Sequence, residues 1–485
     1  MTSERNSFAW LLLFIAGITA YRFFALLGYD YALYTDEAYY WLWSKELEWG
    51  YYSKPPVIAL LIRAATSVCG DAEVCIRSIG IILYPFTALG IYLTGKTVAN
   101  SSVGLWAAVL FITMPAVSVS SLTASTDIPL LLLWSWSLFF FIKALDGNNW
   151  SLWILLGIAG GIGMLSKYNF AIFFISGLLL MGIVKTDRHH LLSIKPWLAV
   201  LIAFLVFLPN LVWNFSNDFP TITHTSEISG VLSESFFHWD SLGGFLLSQF
   251  IIFGIISFGV LLTLLTRNNW LQETNKIRLL YMGLPFLLLI SGIALFGKSN
   301  ENWASPTYAA GSLLVAWWLY DKGLKKLLYS AVLLNLVLMV VSTHLDTIKT
   351  ATGIENTSAN DPFKRLRGWR EFAAQVDERL SPDMILVSPS RTLLSHYLYE
   401  AKQPISRSAS WNPKNRIRSH FDLVRELKQD ENQTYLLLKV REDDCLASSF
   451  DSFEPQPPIR VEIYDNYSIE ASVALARGFK GYQCR

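Results

Sequence analysis

Two carboxylates stand side by side in the stretch YTDEAYYWLWSKELEWGYYSKPP, Tyr34–Pro56, at Asp36 and Glu37. The same stretch ends in a lysine, Lys54, set immediately before Pro55 and Pro56. A carboxylate at the lip of a membrane cavity can take a proton from an incoming hydroxyl. A lysine on a chain stiffened by two prolines can meet a lipid phosphate as a point charge. Each feature also has an ordinary reading. The acids suit the N-terminal end of an aromatic-rich helix lying on a membrane surface, where the helix dipole favours them. The lysine suits a snorkelling position beside an aromatic belt. On the residues alone both readings stay open. Tyr52, just ahead of Lys54, is expected to line the substrate pocket.

Further ionisable groups are scattered along the apolar part of the chain. Asp127 in TASTDIPLLLLW opens a hydrophobic run, where it or Thr126 can cap a helix with Pro129 in the first turn. Arg22 lies late in the first apolar run, and Lys167 lies between two others in GMLSKYN. Charges at membrane depth are functional candidates by default. Lys167 is expected to bind phosphate, and Arg22 either does so or snorkels outward. The stretch PNLVWNFSNDFPTITHTSE holds Asp218, His224 and Glu227, and SNENWASPTYAA holds Glu301, Asn302 and Trp303. His224, Glu301, Asn302 and Trp303 are candidate pocket residues. Ligand spacing of the HExxH kind is lacking, so a divalent metal held by the outer acids and His224 is left open.

These groups sit in a chain of 485 residues that is 53% hydrophobic and only 16% charged, against about 25% charged in soluble domains. Apolar runs of membrane-spanning length recur up to about residue 345. The first, FAWLLLFIAGITAYRFFALL, is too long for a signal peptide and is expected to be retained. The runs predict about eleven spans, near 8–28, 78–96, 103–121, 127–144, 150–166, 168–184, 195–213, 243–266, 279–297, 303–320 and 325–344. The pair around Lys167 reads either as two helices or as one broken helix.

With the N-terminus in the cytoplasm, the inner loops carry Lys96, Lys143, Lys185, Arg188, Lys195, Arg267, Lys276, Arg278, Lys322, Lys325 and Lys326. The short outer loops carry only Lys167 and Lys298, and the loop 214–243 has no Lys or Arg. That asymmetry obeys the positive-inside rule. It puts Tyr34–Pro56, the 214–243 loop and the C-terminal tail outside. All four cysteines, Cys69, Cys75, Cys445 and Cys484, then face an oxidising compartment. Cys69–Cys75 would close a small loop and Cys445–Cys484 would staple the tail, with free thiols as the alternative. In the tail, DMILVSPS and TYLLLKVR read as buried strands. FKRLRGWREFAAQVDERL and SRTLLSHYLYEA read as amphipathic helices. The expected fold class is an all-α polytopic membrane protein carrying a small α/β C-terminal soluble domain.

A net charge of +1 argues against a nucleic-acid partner. P-loop, dinucleotide and nucleophilic-serine motifs are absent, so a substrate would have to reach the outer side already activated. The motifs TDEAYYW, YYSKPP, TDIP, GMLSKYN, PNLVWN and ENWASPTYA, in this order over about 300 residues, resemble those of the GT-C glycosyltransferases that use polyprenyl-phosphate sugars. The pattern is similar to the bacterial aminoarabinose transferase and lipopolysaccharide-core galacturonosyltransferase group, related to the protein O-mannosyltransferases. SRTLLSHYLYEAKQP resembles the periplasmic domain of that family.

The resemblance implies a domain at 1–345 with outer loops 29–77 and 214–243, followed by a periplasmic α/β domain at 346–485. It implies an inner-membrane enzyme whose donor is a sugar on undecaprenyl phosphate or a close relative. The acceptor would be lipid A, core oligosaccharide, a glycolipid or a protein. Asp36 would be the catalytic acidic residue, Glu37 its neighbour in the motif, and Asp127 a second acidic position. Lys54 would bind the donor phosphate, and Lys167, Asn302 and Trp303 occupy matching motifs. The segment between the acids and Lys54 is shorter than in the aminoarabinose transferases, which leaves the acceptor open. A lipid-linked-sugar transporter or flippase is the competing reading, and a non-catalytic scaffold a third. The lack of internal repeats counts against a transporter.

Overall fold

The computed structural model describes residues 2–147, 149–229, 237–267, 270–439 and 444–483. The pairing expected for Cys445 and Cys484 falls outside them. The chain divides into two compact units. The first comprises Met1–Gly28, Lys54–Leu61 and Arg77–Leu345, and the second Tyr29–Ser53, Ile62–Ile76 and Asp346–Arg485.

Among the described residues, six helices are long and apolar enough to cross a membrane: Asn6–Leu27, Glu73–Val98, Asp127–Asp146, Ile194–Ser216, Thr274–Phe296 and Lys325–Thr343. The protein is therefore a multi-pass membrane protein. The span expected at 243–266 is not one straight helix. Trp239–Ile252 and Ile255–Leu265 meet at 118°. Gly254 makes the corner with φ +97°, a conformation open to glycine, and a Cβ there would lie 2.6 Å from the Asn335 side-chain oxygen. If the bent pair is one crossing, seven spans satisfy the length test.

The spans expected at 103–121, 150–166, 168–184 and 303–320 fall on shorter helices. These are Ser101–Thr113, Trp150–Ser166, Ala171–Ile183 and Thr307–Asp321. The longest has 17 residues. At a rise of 1.5 Å per residue that is about 25 Å, short of a hydrocarbon core of about 30 Å. Ser101–Thr113 stops because Pro115 cannot continue its hydrogen bonding, and a new short helix starts at that proline. The region around Lys167 is two helices, with Lys167 extended between them. The glycines of GIAGGIGM let Trp150–Ser166 pack tightly on Ile194–Ser216. A Cβ on Gly157 would meet the Ala199 carbonyl at 2.7 Å, and one on Gly161 the Val206 side chain at 2.6 Å.

At one end of these helices Arg278 is buried against acids. It donates to both carboxylate oxygens of Asp187, at 2.8 and 2.6 Å, and to Asp146 at 2.6 Å. A residue counted among the orienting cations is thus locally neutralised, as a buried guanidinium must be.

The second unit is built on a five-stranded sheet in the order β2-β1-β3-β5-β4. The strands are β1 (Ile385–Ser388), β2 (Ser408–Ser410), β3 (Asp430–Leu438), β4 (Phe450–Tyr464) and β5 (Tyr467–Phe479). β1 pairs in parallel with β2 and β3, while β5 runs antiparallel to β3 and β4. Strands β1 and β3 contain the two apolar runs expected as strands. The β4–β5 hairpin contains FEPQPPIR, whose three prolines argue against a strand. Their placement explains the tolerance. β4 is an edge strand, and its register shifts between Gln456 and Ile459, at Pro457 and Pro458. Val387, Trp411, Leu437, Phe450 and Phe479 form the core on one face.

The helices of this unit include Thr35–Lys45, Trp369–Asp377 and Arg391–Glu400. The Cys69–Cys75 disulfide forms, closing CGDAEVC. Asp71 inside that loop takes hydrogen bonds from Trp41 Nε1 at 2.7 Å and Lys45 Nζ at 2.6 Å, and its carbonyl accepts from Tyr399 at 3.0 Å. The loop thereby joins the first outer helix to a tail helix.

Two histidines are sealed inside this unit. His396 stacks flat on Trp369 with centroids 3.6 Å apart, and His420 packs edge-on against Trp43 and Tyr51. Burial pushes both down to about 3, with the Arg425 charge adding to it at His420. An unfolded histidine titrates near 6.5, so below that value the unfolded chain binds more protons than the folded one. The stability this supplies is complete above pH ~6.5 and drains as pH falls towards 3, by about 1.4 kcal/mol per pH unit per histidine. The unfolding temperature of the detergent-solubilised protein should fall steadily from pH 7 to pH 5. His396→Phe should flatten that slope, and an unchanged slope would contradict the assignment.

Candidate active site

In the first unit three expected residues converge. Asp127 begins the helix Asp127–Asp146, Lys167 caps Trp150–Ser166, and Asn302 lies in the single turn Glu301–Ala304. Lys167 Nζ is 2.6 Å from one Asp127 oxygen, and Asn302 Nδ2 donates to the other at 2.5 Å. Both oxygens of the carboxylate are therefore engaged. Lys167 and Asp127 are 15% and 11% exposed, so their attraction is only weakly screened. A phosphate approaching Lys167 would compete with Asp127 for it.

Asp127 and Asn302 line a cavity of about 330 Å³ with Tyr84, Ser120 and Ser125. Most of the wall is apolar, from Met114, Val117, Leu131 and Ile251. Tyr84 and Ser120 are hydrogen-bonded to each other. An apolar chamber with a hydrogen-bonding end can take an apolar chain that carries a polar head group, and Lys167, behind Asp127, does not line it. Nothing in the sequence pointed to Tyr84, an isolated tyrosine in an apolar helix.

A second cavity of about 470 Å³ links two of the quoted motifs. Tyr168, which follows Lys167, lines it with Asn214, the last residue of PNLVWN. Asn214 donates to the Tyr168 hydroxyl at 3.3 Å and accepts from Thr221 at 3.1 Å.

Other expected residues of this unit lie elsewhere. Arg22 is buried, and its guanidinium donates to the Ile112 carbonyl at 2.6 Å and to Ser118 at 3.2 Å. Ile112 sits in the last turn before the Pro115 break, where helix carbonyls lose their partners. Arg22 thus fills a backbone need of the broken helix, and it does not line the Asp127 cavity. Glu301 is exposed, and its backbone carbonyl accepts from Gln249. Trp303 is half-buried in the same turn, and His224 is half-buried on the helix Pro220–Ser229. Lys54, also half-buried, opens the segment Lys54–Leu61.

In the second unit the adjacent acids part company. Both lie in the first turn of Thr35–Lys45. Glu37 is 2% exposed, and its carboxylate accepts from the Tyr34 backbone N–H at 2.8 Å. That is a capping bond, which satisfies an amide the helix cannot. Asp36 is 40% exposed, and Arg391 Nη2 is 3.2 Å from its carboxylate. Of the pair, Asp36 is the acid presented outward. Tyr52 is buried. Among the described residues no group of three or more His, Cys, Asp or Glu side chains is placed to hold a metal ion.

The family model described as dolichyl-phosphate-mannose-protein mannosyltransferase matches residues 53–213. Lipid A galacturonosyltransferase RgtD of Rhizobium johnstonii is 32% identical over 321 residues, which is 64% of this chain and 66% of that protein. Lipopolysaccharide core galacturonosyltransferase RgtA of the same organism is 33% identical over 189 residues, 38% of this chain and 37% of that protein. The chain thus spans slightly less than two thirds of the first relative and little more than a third of the second. The crystal structure of ArnT from Cupriavidus metallidurans bound to undecaprenyl phosphate matches with a TM-score of 0.65 at 14% identity. That match covers 96% of this chain and 98% of the other, and at such identity it is a likeness of fold.

Proposed function

We propose that this chain, which belongs with the GT-C glycosyltransferases of the aminoarabinose and galacturonosyl transferase group, moves a sugar from a polyprenyl-phosphate donor to a lipid or glycan acceptor of the bacterial envelope. The observation that carries the reading is the 32% identity with a lipid A galacturonosyltransferase over 321 residues. Galacturonic acid on undecaprenyl phosphate is accordingly the first donor to try, and lipid A the first acceptor. We place the enzyme in the inner membrane with a cytoplasmic N-terminus, and reach about eleven spans only by counting the shorter apolar helices with the six long ones. Residues 1–345 form the catalytic domain in this reading, and residues 346–485 a periplasmic one. The orientation rests on the charge asymmetry of the loops.

The chemistry is an inverting displacement at the anomeric carbon. The acceptor oxygen forms the new bond while the bond to the phosphate oxygen breaks. A phosphate ester leaves readily near neutral pH and needs charge stabilisation more than protonation. Lys54 supplies that charge, and Lys167 does so once the phosphate draws it from Asp127. Arg22 is the weaker candidate, being held by the Ile112 carbonyl. Asp36 accepts the proton of a hydroxyl acceptor; a phosphate acceptor has none to lose, and Asp36 then orients it. Glu37 serves by holding the turn on which Asp36 stands.

The test is direct. Purified protein is given radiolabelled undecaprenyl-phosphate galacturonic acid with and without lipid A. The reading expects undecaprenyl phosphate to be released, and label to reach lipid A, only when both substrates are present. Movement of the intact donor across a vesicle bilayer without cleavage would instead establish a flippase.

A further inference from the structure

The helix Arg391–Glu400 belongs to the tail, yet it lies along the helix that carries Asp36. Three contacts tie the two within the second unit. Arg391 Nη2 is 3.2 Å from Asp36, and its guanidinium lies 5.4 Å from the centre of the Tyr39 ring. His396 Nε2 is 3.1 Å from the hydroxyl of Thr35, the residue before Asp36. Tyr399 meets Trp41 edge-on, with ring centres 5.1 Å apart.

The contacts differ in what they can do for the fold. His396, Trp41 and Tyr399 are buried, and their packing holds the helices together. The Asp36–Arg391 pair is different, since the two side chains are 40% and 37% exposed. Ion pairs at such exposure add little to stability, because water screens them and both side chains lose rotamer freedom. This pair is nevertheless directional. The guanidinium is confined over the Tyr39 ring on one side, so it addresses the Asp36 carboxylate from a set direction. An acid that must meet an acceptor oxygen within a few tenths of an ångström gains from such a hold.

We propose that Arg391 is a positioning residue for the transfer reaction, fixing the Asp36 carboxylate so that one oxygen faces the acceptor. The inference rests on the assignment of Asp36 to the reaction. It makes the tail's helix Arg391–Glu400 a working part of the catalytic apparatus. Arg391 acts through Asp36 and makes no bond to the substrate.

Arg391→Met and Arg391→Lys, in the full-length protein, test it by two independent readouts. In the transfer assay, Arg391→Met should lower kcat by about 10²-fold, the scale of a small misplacement of a reacting group. KM for donor and for acceptor should stay within about twofold of wild type. Arg391→Lys keeps the charge and should recover much of the loss, at an unchanged unfolding temperature. In hydrogen–deuterium exchange, the peptide covering 34–41 should exchange several-fold faster in Arg391→Met while the strands of the sheet do not change. An unchanged kcat overturns the proposal. So does a raised donor KM at unchanged kcat, which would make Arg391 an anion ligand. If wild type transfers no sugar, the glycosyltransferase reading fails on its own. The exchange arm still decides whether Arg391 holds Asp36: faster exchange sustains the tether, and unchanged exchange removes it.

Discussion

Asp36→Asn is expected to lower sugar transfer to a hydroxyl acceptor by about 10²–10⁴-fold, the range that general-base assistance supplies. The substitution is nearly isosteric. Its amide oxygen can still sit beside the Arg391 guanidinium, and Glu37 still caps the helix through the Tyr34 N–H. The folded protein should therefore insert, purify and unfold as wild type does. What is lost is the ability to take up a proton, since an amide is not a base at neutral pH. The same variant separates the two acceptor classes. With a phosphate acceptor no proton has to leave, and only the smaller loss from altered orientation should remain. Turnover near wild type with every acceptor would end the assignment of Asp36. Glu37→Gln is the natural companion. It retains an acceptor for the Tyr34 amide and should leave kcat far closer to wild type.

The second large effect is expected at Asp127. Asp127→Ala removes the carboxylate paired with Lys167 and leaves the Asn302 amide without the oxygen it now donates to. Breaking one partner out of a buried pair costs about 3–5 kcal/mol, because the remaining charge keeps its desolvation penalty. The slight exposure of this pair lets water offset part of that, so a loss of about 2–4 kcal/mol is expected. It would be read as a lower unfolding midpoint in detergent. Asp127→Ala combined with Lys167→Met should be more stable than Asp127→Ala alone, since the orphaned ammonium is gone. Equal stability of the single and double variants would refute the pairing. Lys167→Met should also raise the donor KM if Lys167 turns to the phosphate during the reaction.

Chemistry-bearing residues were legible because charge in an apolar chain is conspicuous. Asp127 and Lys167 stood out for that reason, and their motifs fell in an order that resembles a known family. Their pairing was not legible. It depends on where the helix Trp150–Ser166 ends and on how that helix packs against Asp127–Asp146, both of which are tertiary outcomes. The role of Arg391 is illegible in the sequence for a related reason. Its sequence neighbourhood reads as an ordinary amphipathic helix, and its partner lies at the other end of the chain. The β4–β5 hairpin escaped because three prolines argue against a strand unless the strand is known to be an edge.

The amino-acid order by itself determined that this is a multi-pass membrane protein with a mixed α/β tail, because hydrophobic run length and period are local properties that a bilayer and a sheet both select. It determined the candidate motifs as well, because each is a short run of neighbouring residues. Tertiary structure alone decided which of two adjacent acids is available. Asp36 and Glu37 are chemically near-equal and one position apart. Helix geometry turns Glu37 inward to cap a backbone amide and leaves Asp36 outward, facing an arginine from the tail. It likewise decided that Arg22 serves a broken helix and that Lys167 rests on Asp127, because partners brought together from distant parts of a chain exist only once it has folded.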